Sequence, residues 1–263
     1  MSPNYIMPRQ GESTYFKAYR IVQYFARFGC NTLFYAFLTL FKGNPVQDTV
    51  PADSTLFTIY SQMQRWFFYR PSDPDHILNR ITDEEYERDQ FLPFWAEHWP
   101  SSEVLLSYCI NNLPPDSRTI CELGCGLGII SAALATTGRS ILATDIAPQA
   151  CVYSSANMRK YSGKGNILCC DWRHPPFKQT FDCIIASDIL YEQRWIEPIV
   201  LFLQNHLASA GSALIADPTR QHWVDFKSRI RSSGFVIETV KRKKVNDGKT
   251  LVEILKIQKE NLD

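Results

Sequence analysis

From Pro100 onward, short runs of β-branched and aliphatic residues alternate with stretches whose apolar residues recur at helical spacing. The predicted strands are 119–123, 140–144, 166–170, 181–187 and 213–216. The predicted helices are 129–137, 148–161, 195–207 and 223–233. A further helix is predicted to begin at Pro100 and to end before Pro114. Alternation at this spacing predicts βαβ units, and therefore a parallel sheet with helices on both faces.

The C-terminal part of the chain follows a different pattern. Two β-like runs, 235–245 and 250–257, flank Asn246-Asp247-Gly248, which is a strong hairpin signal. Together with the five earlier strands, they predict a doubly wound, mostly parallel α/β sheet of seven strands that ends in an antiparallel hairpin.

The N-terminal third has no such alternation. Segments rich in proline and small polar residues, 42–54 and 70–75, separate it into shorter pieces. We predict two helical stretches, 15–41 and 54–69, followed by an acidic linker. The predicted organisation is a helical N-terminal extension with its linker, 1–90, and a main domain, 91–263.

The segment 21–41 is long and apolar enough to be considered as a membrane span. Polar residues interrupt it, and its aromatic residues fall at mixed spacing, as in helices that pack on a neighbouring domain. We therefore expect docking on protein, with contact at a membrane surface as the less favoured alternative. The first eleven residues lack the apolar core of a secretory signal.

Composition and charge narrow the classes of partner. Hydrophobic residues make up 45% of the chain and the formal net charge is +1, so no overall field attracts nucleic acid. The eight cysteines form no CxxC pair, and Cys169–Cys170 has no histidine at zinc-ligand spacing. This pattern favours a reduced, cytoplasmic protein without a metal site.

The strongest local signal is a glycine-rich turn between a predicted strand and a predicted helix. Gly124, Gly126 and Gly128 alternate with Cys125 and Leu127 in a GxGxG pattern. A dinucleotide fingerprint, GxGxxG, would need a glycine one position later. Glu122 precedes the turn, where a carboxylate would repel a pyrophosphate but would suit the ammonium group of S-adenosylmethionine.

Acidic residues also end the next two predicted strands. Asp145 is placed to accept hydrogen bonds from ribose hydroxyls. Asp171 could bond an adenine amino group while the indole of Trp172 covers the ring. Structural alternatives stay open for both positions, because Asp145 could cap a helix before Pro148 and Trp172 could belong to the core.

These residues resemble the motif set of the seven-stranded class I methyltransferases. More narrowly, Asp188-Ile-Leu-Tyr191 resembles the D-x-x-Y motif of a group of protein-lysine methyltransferases, and Trp99-Pro-Ser-Ser resembles that group's W-P-small-small segment. Asp217-Pro-Thr-Arg220 is similar to the D-P-G-R stretch of the branch that methylates the electron-transfer flavoprotein β-subunit, with threonine in place of glycine. The resemblance covers about residues 91–257.

The resemblance implies S-adenosyl-L-methionine as cofactor and a protein lysine as methyl acceptor. It implies the following cofactor contacts: Trp99, Glu122, Gly124, Cys125, Gly126, Asp145, Asp171, Trp172 and Ser187. Asp188 and Tyr191 would lie on the acceptor side. For Asp188 the alternative is a helix N-cap, and for Tyr191 it is simple packing.

Two other function classes remain open on the sequence. A small-molecule N- or O-methyltransferase would share the fold and the cofactor motifs, because fold does not fix the substrate. A binding module that keeps the fold without activity is less favoured, since all of the cofactor motifs are present. A nucleic-acid partner is not expected, because the N/D-P-P-Y/F motif of amino-group base methylases is missing after the fourth strand of the sheet.

Overall fold

A computed structural model describes residues 50–61, 64–82, 92–161 and 165–260. Ahead of the main sheet lie β1 (Ser54–Ser61), β2 (Gln64–Pro71), α1 (Pro74–Leu78) and α2 (Pro100–Asn112). The sheet and its helices are β3 (Thr119–Leu123), α3 (Ile129–Ala135), β4 (Ser140–Asp145), α4 (Pro148–Tyr161), β5 (Asn166–Cys169), β6 (Phe181–Ser187), α5 (Ile196–His206), β7 (Leu207–Asp217), α6 (His222–Arg231), β8 (Phe235–Val245) and β9 (Thr250–Lys259). Short 3-10 turns lie at Phe94–Ala96 and Gln193–Trp195.

The seven strands from β3 to β9 form one sheet in the order β5-β4-β3-β6-β7-β9-β8. The neighbouring strands β5, β4, β3, β6 and β7 pair in parallel. Strand β9 is antiparallel to both of its neighbours, β7 and β8. The predicted sheet with its closing hairpin is therefore confirmed. The hairpin turn uses left-handed backbone at Asn246, Asp247 and Gly248, as its sequence indicates.

Helices cover both faces of the sheet because its central strands are apolar on both sides. On one face, α2, α3 and α4 contribute buried residues such as Leu105, Ile130 and Tyr153 to a core with Ile120 of β3. On the other face, α5 and α6 pack residues such as Leu203 and Phe226 against the sheet. This is the doubly wound arrangement that the alternating pattern predicts.

The predicted helix over 54–69 is wrong. These residues form the antiparallel hairpin β1–β2, in which Leu56 pairs with Tyr69 and Ile59 with Trp66. The segment is rich in β-branched and aromatic residues, which favour strands. Its buried positions alternate, with Ile59 and Ser61 buried in β1 and Trp66 and Phe68 buried in β2. The buried side chains of Ile59 and Trp66 belong to the same core as α3 and α4.

Hydrogen bonds fasten this hairpin to α4. Asn157 exchanges hydrogen bonds with the backbone of Tyr69 at 2.6 and 2.9 Å, and the Tyr161 hydroxyl donates to the Phe67 carbonyl at 2.9 Å. The predicted helix over 15–41 and the acidic linker residues 83–89 lie outside the described residues. The domain division near residue 90 stays a prediction.

Within the described ranges, no helix has the length and apolar character needed to cross a membrane. The apolar segment 21–41 lies outside those ranges. Its docking on protein is therefore still an expectation.

A buried carboxylate at the hairpin end of the sheet gives a testable stability prediction. Glu253 accepts hydrogen bonds from Trp223 Nε1 at 2.7 Å, Arg242 Nε at 2.7 Å and Lys227 Nζ at 3.2 Å. Burial opposes the charged form, but these three donors outweigh it and lower the pKa of Glu253 to about 2. The folded pKa is depressed, so the carboxylate stabilises the fold above the ordinary pKa of 4.5 and loses that effect as pH falls toward 2.

We expect Glu253→Gln to lower the free energy of unfolding by about 2 kcal/mol at neutral pH, because charge-assisted hydrogen bonds become neutral ones. The loss should shrink progressively as pH falls from about 4.5 to about 2. Urea unfolding at neutral pH and near the acid end measures both values, with the exposed Glu238→Gln as control. An equal loss at both pH values would contradict this role of the charge.

Candidate active site

The candidate site lies at the carboxyl ends of the parallel strands. Consecutive strands proceed from β3 outward to β4 and β5, whereas β6 lies on the other side of β3. The chain therefore changes direction between β3 and β6, and ligands of open α/β sheets bind in the crevice at such a point. The glycine turn follows β3 and Asp188 follows β6, so both border this crevice.

The glycine turn depends on left-handed backbone at all three glycines. Gly124, Gly126 and Gly128 have φ values of 61°, 51° and 71°, a region that side-chain-bearing residues avoid. A methyl group added at Gly124 would lie 3.0 Å from Ile189 Cγ2 and 3.1 Å from the Trp172 ring. One added at Gly126 would lie 3.3 Å from the Trp95 carbonyl oxygen. The turn is therefore bare backbone, closely bordered by neighbouring residues.

Asp145, at the end of β4, holds the turn. Its Oδ2 accepts a hydrogen bond from the Gly126 N–H and its Oδ1 accepts one from the Ala147 N–H, both at 2.8 Å. Burial raises the pKa of Asp145 to about 6, although these backbone donors oppose the rise. The predicted ribose contact would therefore use a carboxylate that is already fixed in position.

Glu122 is buried and lies close to the start of α3. Its Oε2 accepts hydrogen bonds from both the backbone N–H and the hydroxyl of Ser131. Burial raises the pKa of Glu122 to about 7, while Ser131 lowers it. The contact with a ligand ammonium stays a prediction, and the structure adds a second role for this carboxylate at the N-terminus of α3. Cys125 is also buried, with its Sγ 3.6 Å from Ser154 Oγ.

Asp171 and Trp172 follow β5 on the outer side of the glycine turn. The Asp171 carboxylate pairs with Arg173, whose Nε donates to Oδ1 at 2.9 Å and to Oδ2 at 2.8 Å. The Trp172 ring borders Gly124 and lies edge-on to Trp195 at 5.6 Å. Its indole N–H is buried and has no hydrogen-bond partner among the described residues. The ring is thus beside the turn, where the predicted adenine contact requires it.

The segment before α2 forms one wall of the crevice. The Trp95 backbone borders Gly126, and Trp99 Nε1 donates to the Phe94 carbonyl at 2.9 Å. The Trp99 ring lies 6.0 Å from Phe94 and 5.8 Å from the Arg220 guanidinium. The structure therefore places Trp99 beside the residues after β7, and its predicted contact with the cofactor stays a prediction.

Asp188 continues from β6, beyond the half-buried Ser187, in left-handed backbone with φ of 59°. Its N–H donates to the Ala216 carbonyl at 3.0 Å, which extends the ladder between β6 and β7. The following 3-10 turn begins only at Gln193 and α5 at Ile196. The alternative of Asp188 as a helix N-cap is therefore wrong.

The two oxygens of Asp188 have different surroundings. Oδ1 accepts hydrogen bonds from Arg220 Nη2 at 2.9 Å and from Ser101 Oγ at 3.2 Å. Oδ2 is buried and has no partner within the part of the chain that the structure describes. Burial raises the pKa of Asp188 to about 6, and Arg220 opposes the rise. A buried acceptor without a donor is costly, so Oδ2 is available to accept a further hydrogen bond.

Tyr191 packs against aromatic rings beside Asp188. Its ring lies 5.2 Å from Phe94 and 5.9 Å from Trp195, and burial raises the pKa of its hydroxyl. The packing alternative accounts for the ring. A part of the hydroxyl in aligning the acceptor stays a prediction.

Sequence reasoning did not identify the group that holds Asp188. Ser101, Asp217 and Arg220 surround one carboxylate, although they come from α2 and from the segment after β7. The signal was available in part, because Ser187 and Ala216 are neighbours once β6 and β7 are paired. Acids at the ends of two adjacent strands then need a shared cation.

Comparison with known proteins agrees with this architecture. Residues 120–211 match the family described as a methyltransferase domain. The magnesium protoporphyrin IX methyltransferase of Synechocystis PCC 6803 with bound SAH aligns with 72% of this chain and 100% of its own, at 14% identity and a TM-score of 0.52. The ribosomal protein L11 methylase of Lactobacillus delbrueckii subsp. bulgaricus aligns with 63% and 81%, at 16% identity and a TM-score of 0.52. The described residues therefore have the class I methyltransferase fold.

Curated relatives point to a narrower likeness. The electron transfer flavoprotein beta subunit lysine methyltransferase of Danio rerio is 28% identical over 140 residues, which are 52% of this chain and 54% of the relative. The enzyme of the same description from Mus musculus is 31% identical over 138 residues, 49% of this chain and 51% of the relative. The chain thus spans about half the length of these relatives.

S-adenosyl-L-methionine is the cofactor associated with this fold and domain, and the described residues fit it. The bare backbone of Gly124 and Gly126 admits a close ligand, and Trp172 offers a ring face and an unpartnered indole N–H beside it. Carboxylates at Glu122 and Asp145 suit an ammonium group and ribose hydroxyls.

Proposed function

We propose that this protein is an S-adenosylmethionine-dependent methyltransferase whose acceptor is the side-chain amine of a protein lysine. The observation that carries the proposal is Asp188, which has one oxygen fixed by donors and the other buried without a partner. The next residue, Ile189, borders Gly124 of the turn. An ammonium group bound at Oδ2 would therefore lie next to the predicted cofactor site. The similarity to lysine methyltransferases supports the same acceptor.

The bound cofactor would supply an electrophilic methyl on a sulfonium, whose neutral thioether is an excellent leaving group. The protein's part is to align the acceptor and to let it become a neutral nucleophile. An alkyl ammonium has a reference pKa near 10.4, so it must lose a proton before attack. Asp188 binds and orients the ammonium, but its charge alone favours the protonated form.

Aromatic side chains oppose that effect. Phe94 packs against both Trp99 and Tyr191, and Trp99 lies beside Arg220, the partner of Asp188. Desolvation by such rings lowers the pKa of an amine. Deprotonation of the acceptor then proceeds to water. No strong general base is required in this scheme, and Asp188 acts by position and charge.

The cofactor site gives a prediction that is independent of the acceptor. We expect Asp145→Ala to weaken binding of S-adenosylmethionine by about 1–3 kcal/mol, because the ribose loses a charged acceptor and the Gly126 N–H loses its partner. Calorimetric titration measures this loss, and Asp116→Ala, at an exposed position before β3, is the control. Equal affinity in wild type and Asp145→Ala would remove Asp145 from the site.

The acceptor class is tested by labelling. The purified full chain is incubated with methyl-labelled S-adenosylmethionine and cell extract, and proteins are separated from small molecules before hydrolysis of the protein fraction. Label recovered as methyl-lysine is the expected result. Label confined to small molecules would replace the lysine acceptor by a small-molecule one. Label in nucleic acid would contradict the expectation that nucleic acid is not a partner.

We also propose a cytoplasmic location. The cysteines in the described ranges are free, and most of them are buried, which suits a reducing compartment.

A further inference from the structure

Arg220 links Asp188 to the end of β7. Its Nη1 donates to Asp217 Oδ2 and its Nη2 donates to Asp188 Oδ1, each at 2.9 Å. The guanidinium also lies 5.8 Å from the centre of the Trp99 ring. One planar cation thus bridges the carboxylates that end β6 and β7 and packs on the wall of the crevice.

The backbone after β7 is shaped to place this side chain. Thr219 has φ of 57°, an unfavourable conformation for a β-branched residue. It turns the chain so that the Arg220 N–H donates to Asp217 Oδ1 at 2.9 Å. Asp217 therefore binds both the backbone and the side chain of Arg220. Strain held at one residue to orient the next is typical of functional sites.

The charges of the cluster do not cancel. Asp217 and Asp188 have side chains that are 0% and 7% exposed, and they share one guanidinium. Two buried carboxylates with one cation leave one negative charge without a partner. Asp188 Oδ2 is also buried and has no donor among the described residues. A single cationic hydrogen-bond donor would both balance this negative charge and supply the donor that Oδ2 lacks.

We propose that Arg220 is a positioning residue that holds Asp188 through Oδ1 and so presents Oδ2, with one uncompensated negative charge, to a cationic alkyl amine. This inference rests on the proposed methyltransferase function and deepens it. Asp217 acts one step further away, because it fixes Arg220. The cluster selects an ammonium over a neutral alcohol or phenol, which would leave the charge unmatched.

The pH dependence of the reaction carries a signature of this role. The groups that face Asp188 are Arg220 and Asp217 after β7 and Ser101 on α2. Burial raises the pKa of Asp188, Arg220 and Ser101 lower it, and Asp217 raises it. Removal of the Arg220 charge must therefore raise the pKa further. A larger fraction of Asp188 would then be protonated at neutral pH, and its charge would return in more alkaline solution.

The test compares R220Q and R220K with wild type in the full chain. The rate of methyl-lysine formation is measured from pH 6 to 9 with the protein fraction of cell extract at sub-saturating concentration, so that it follows kcat/KM. We expect R220Q to lose roughly 100-fold at neutral pH, as for other misplaced catalytic groups. On the acidic side of its pH profile, the pH at which the R220Q rate falls to half should be higher than in wild type by about one pH unit or more. R220K keeps the charge, so the acidic side of its pH profile should stay near that of wild type. Its rate should fall roughly 10-fold, because lysine lacks the planar fork of arginine.

A matched control is Arg229→Gln, which removes an arginine that pairs with Glu197 at 2.7 and 2.8 Å on the surface of α6. Its rate and pH profile should equal those of wild type. Cofactor affinity, measured by calorimetry, should stay within a few-fold in R220Q and R220K. If R220Q and R220K both lose cofactor affinity together with rate, and neither shifts the acidic side of the pH profile, Arg220 has a structural role and the positioning role is overturned.

A measurement on wild type alone covers the case in which R220Q does not fold. n-Butylammonium should inhibit methyl-lysine formation at roughly 10-fold or more lower concentration than n-butanol, since only the cation matches Asp188. Equal inhibition would overturn the charge selection. If wild type transfers methyl and R220Q is unchanged, only the inference about Arg220 is overturned. If wild type transfers no methyl to protein lysine, the proposed function itself is overturned.

Discussion

Asp188→Asn is expected to lower the rate of methyl-lysine formation by roughly 100- to 1,000-fold, the range found when a preorganised polar contact is removed from an active site. Arg220 Nη2 and Ser101 Oγ both donate to Oδ1. The asparagine must therefore place its carbonyl oxygen there and its NH2 at the former Oδ2. That NH2 is a donor that faces the donor of the acceptor ammonium. The substitution keeps size but reverses the polarity of the contact.

Two measurements separate this effect from damage to the fold. Cofactor affinity should stay within a few-fold, and kcat and kcat/KM should fall together. Asp182→Asn is the control, because Asp182 lies at the opposite end of the same strand and accepts hydrogen bonds from the backbone of Arg118 and Thr119. Wild-type turnover in Asp188→Asn would remove Asp188 from the reaction and leave the lysine acceptor without its carrying residue.

Gly128→Ala is expected to have the largest effect on stability, with a loss of roughly 3–5 kcal/mol or no folded protein. A Cβ at Gly128 would lie 2.1 Å from Ser154 Oγ and 2.9 Å from Ser154 Cα. The second contact is with the backbone of α4, so a change of rotamer does not relieve it. Gly128 is also the N-cap of α3, with φ of 71°, and a side chain in this backbone conformation adds strain. Chemical unfolding of both proteins measures the difference.

The matched control is Gly138→Ala. Gly138 has φ of 81° but no atom within 4 Å of its added Cβ, so only the backbone strain, about 1–2 kcal/mol, should be lost. The difference between the two variants isolates the clash with α4. Equal losses would show that α3 and α4 can separate at the glycine turn without cost, contrary to the tight packing described above.

The sheet could be predicted because its strands are short, apolar and separated by turn residues. β3 and β6 have the predicted limits, but β7 begins at Leu207 rather than at residue 213. Its first residues are small and polar around Gly211, which conceals a strand from an argument based on apolar runs. The wrong helix at 54–69 has a different cause, because the segment is apolar enough for either element and only the alternation of buried positions in β1 and β2 distinguishes strands from a helix.

Only the site residues that lie near the ends of predicted strands could be predicted from the sequence. Glu122 is the last residue but one of β3, Asp145 ends β4 and Asp188 follows β6, so all three lie near the carboxyl edge of the sheet. Their partners depend on tertiary structure. Glu122 contacts Ser131 because α3 returns over β3. Arg220 reaches Asp188, 32 residues earlier, only because β6 pairs with β7 and Thr219 adopts left-handed backbone.

The S-adenosylmethionine site at the glycine turn is the feature on which the proposed chemistry depends. Calorimetric titration of the full chain with S-adenosylmethionine, and separately with a nicotinamide dinucleotide, tests it most directly. We predict saturable one-to-one binding of S-adenosylmethionine that Gly126→Val abolishes, because a side chain there meets the Trp95 carbonyl and fills the turn. Binding of the dinucleotide with none of S-adenosylmethionine would contradict the assignment.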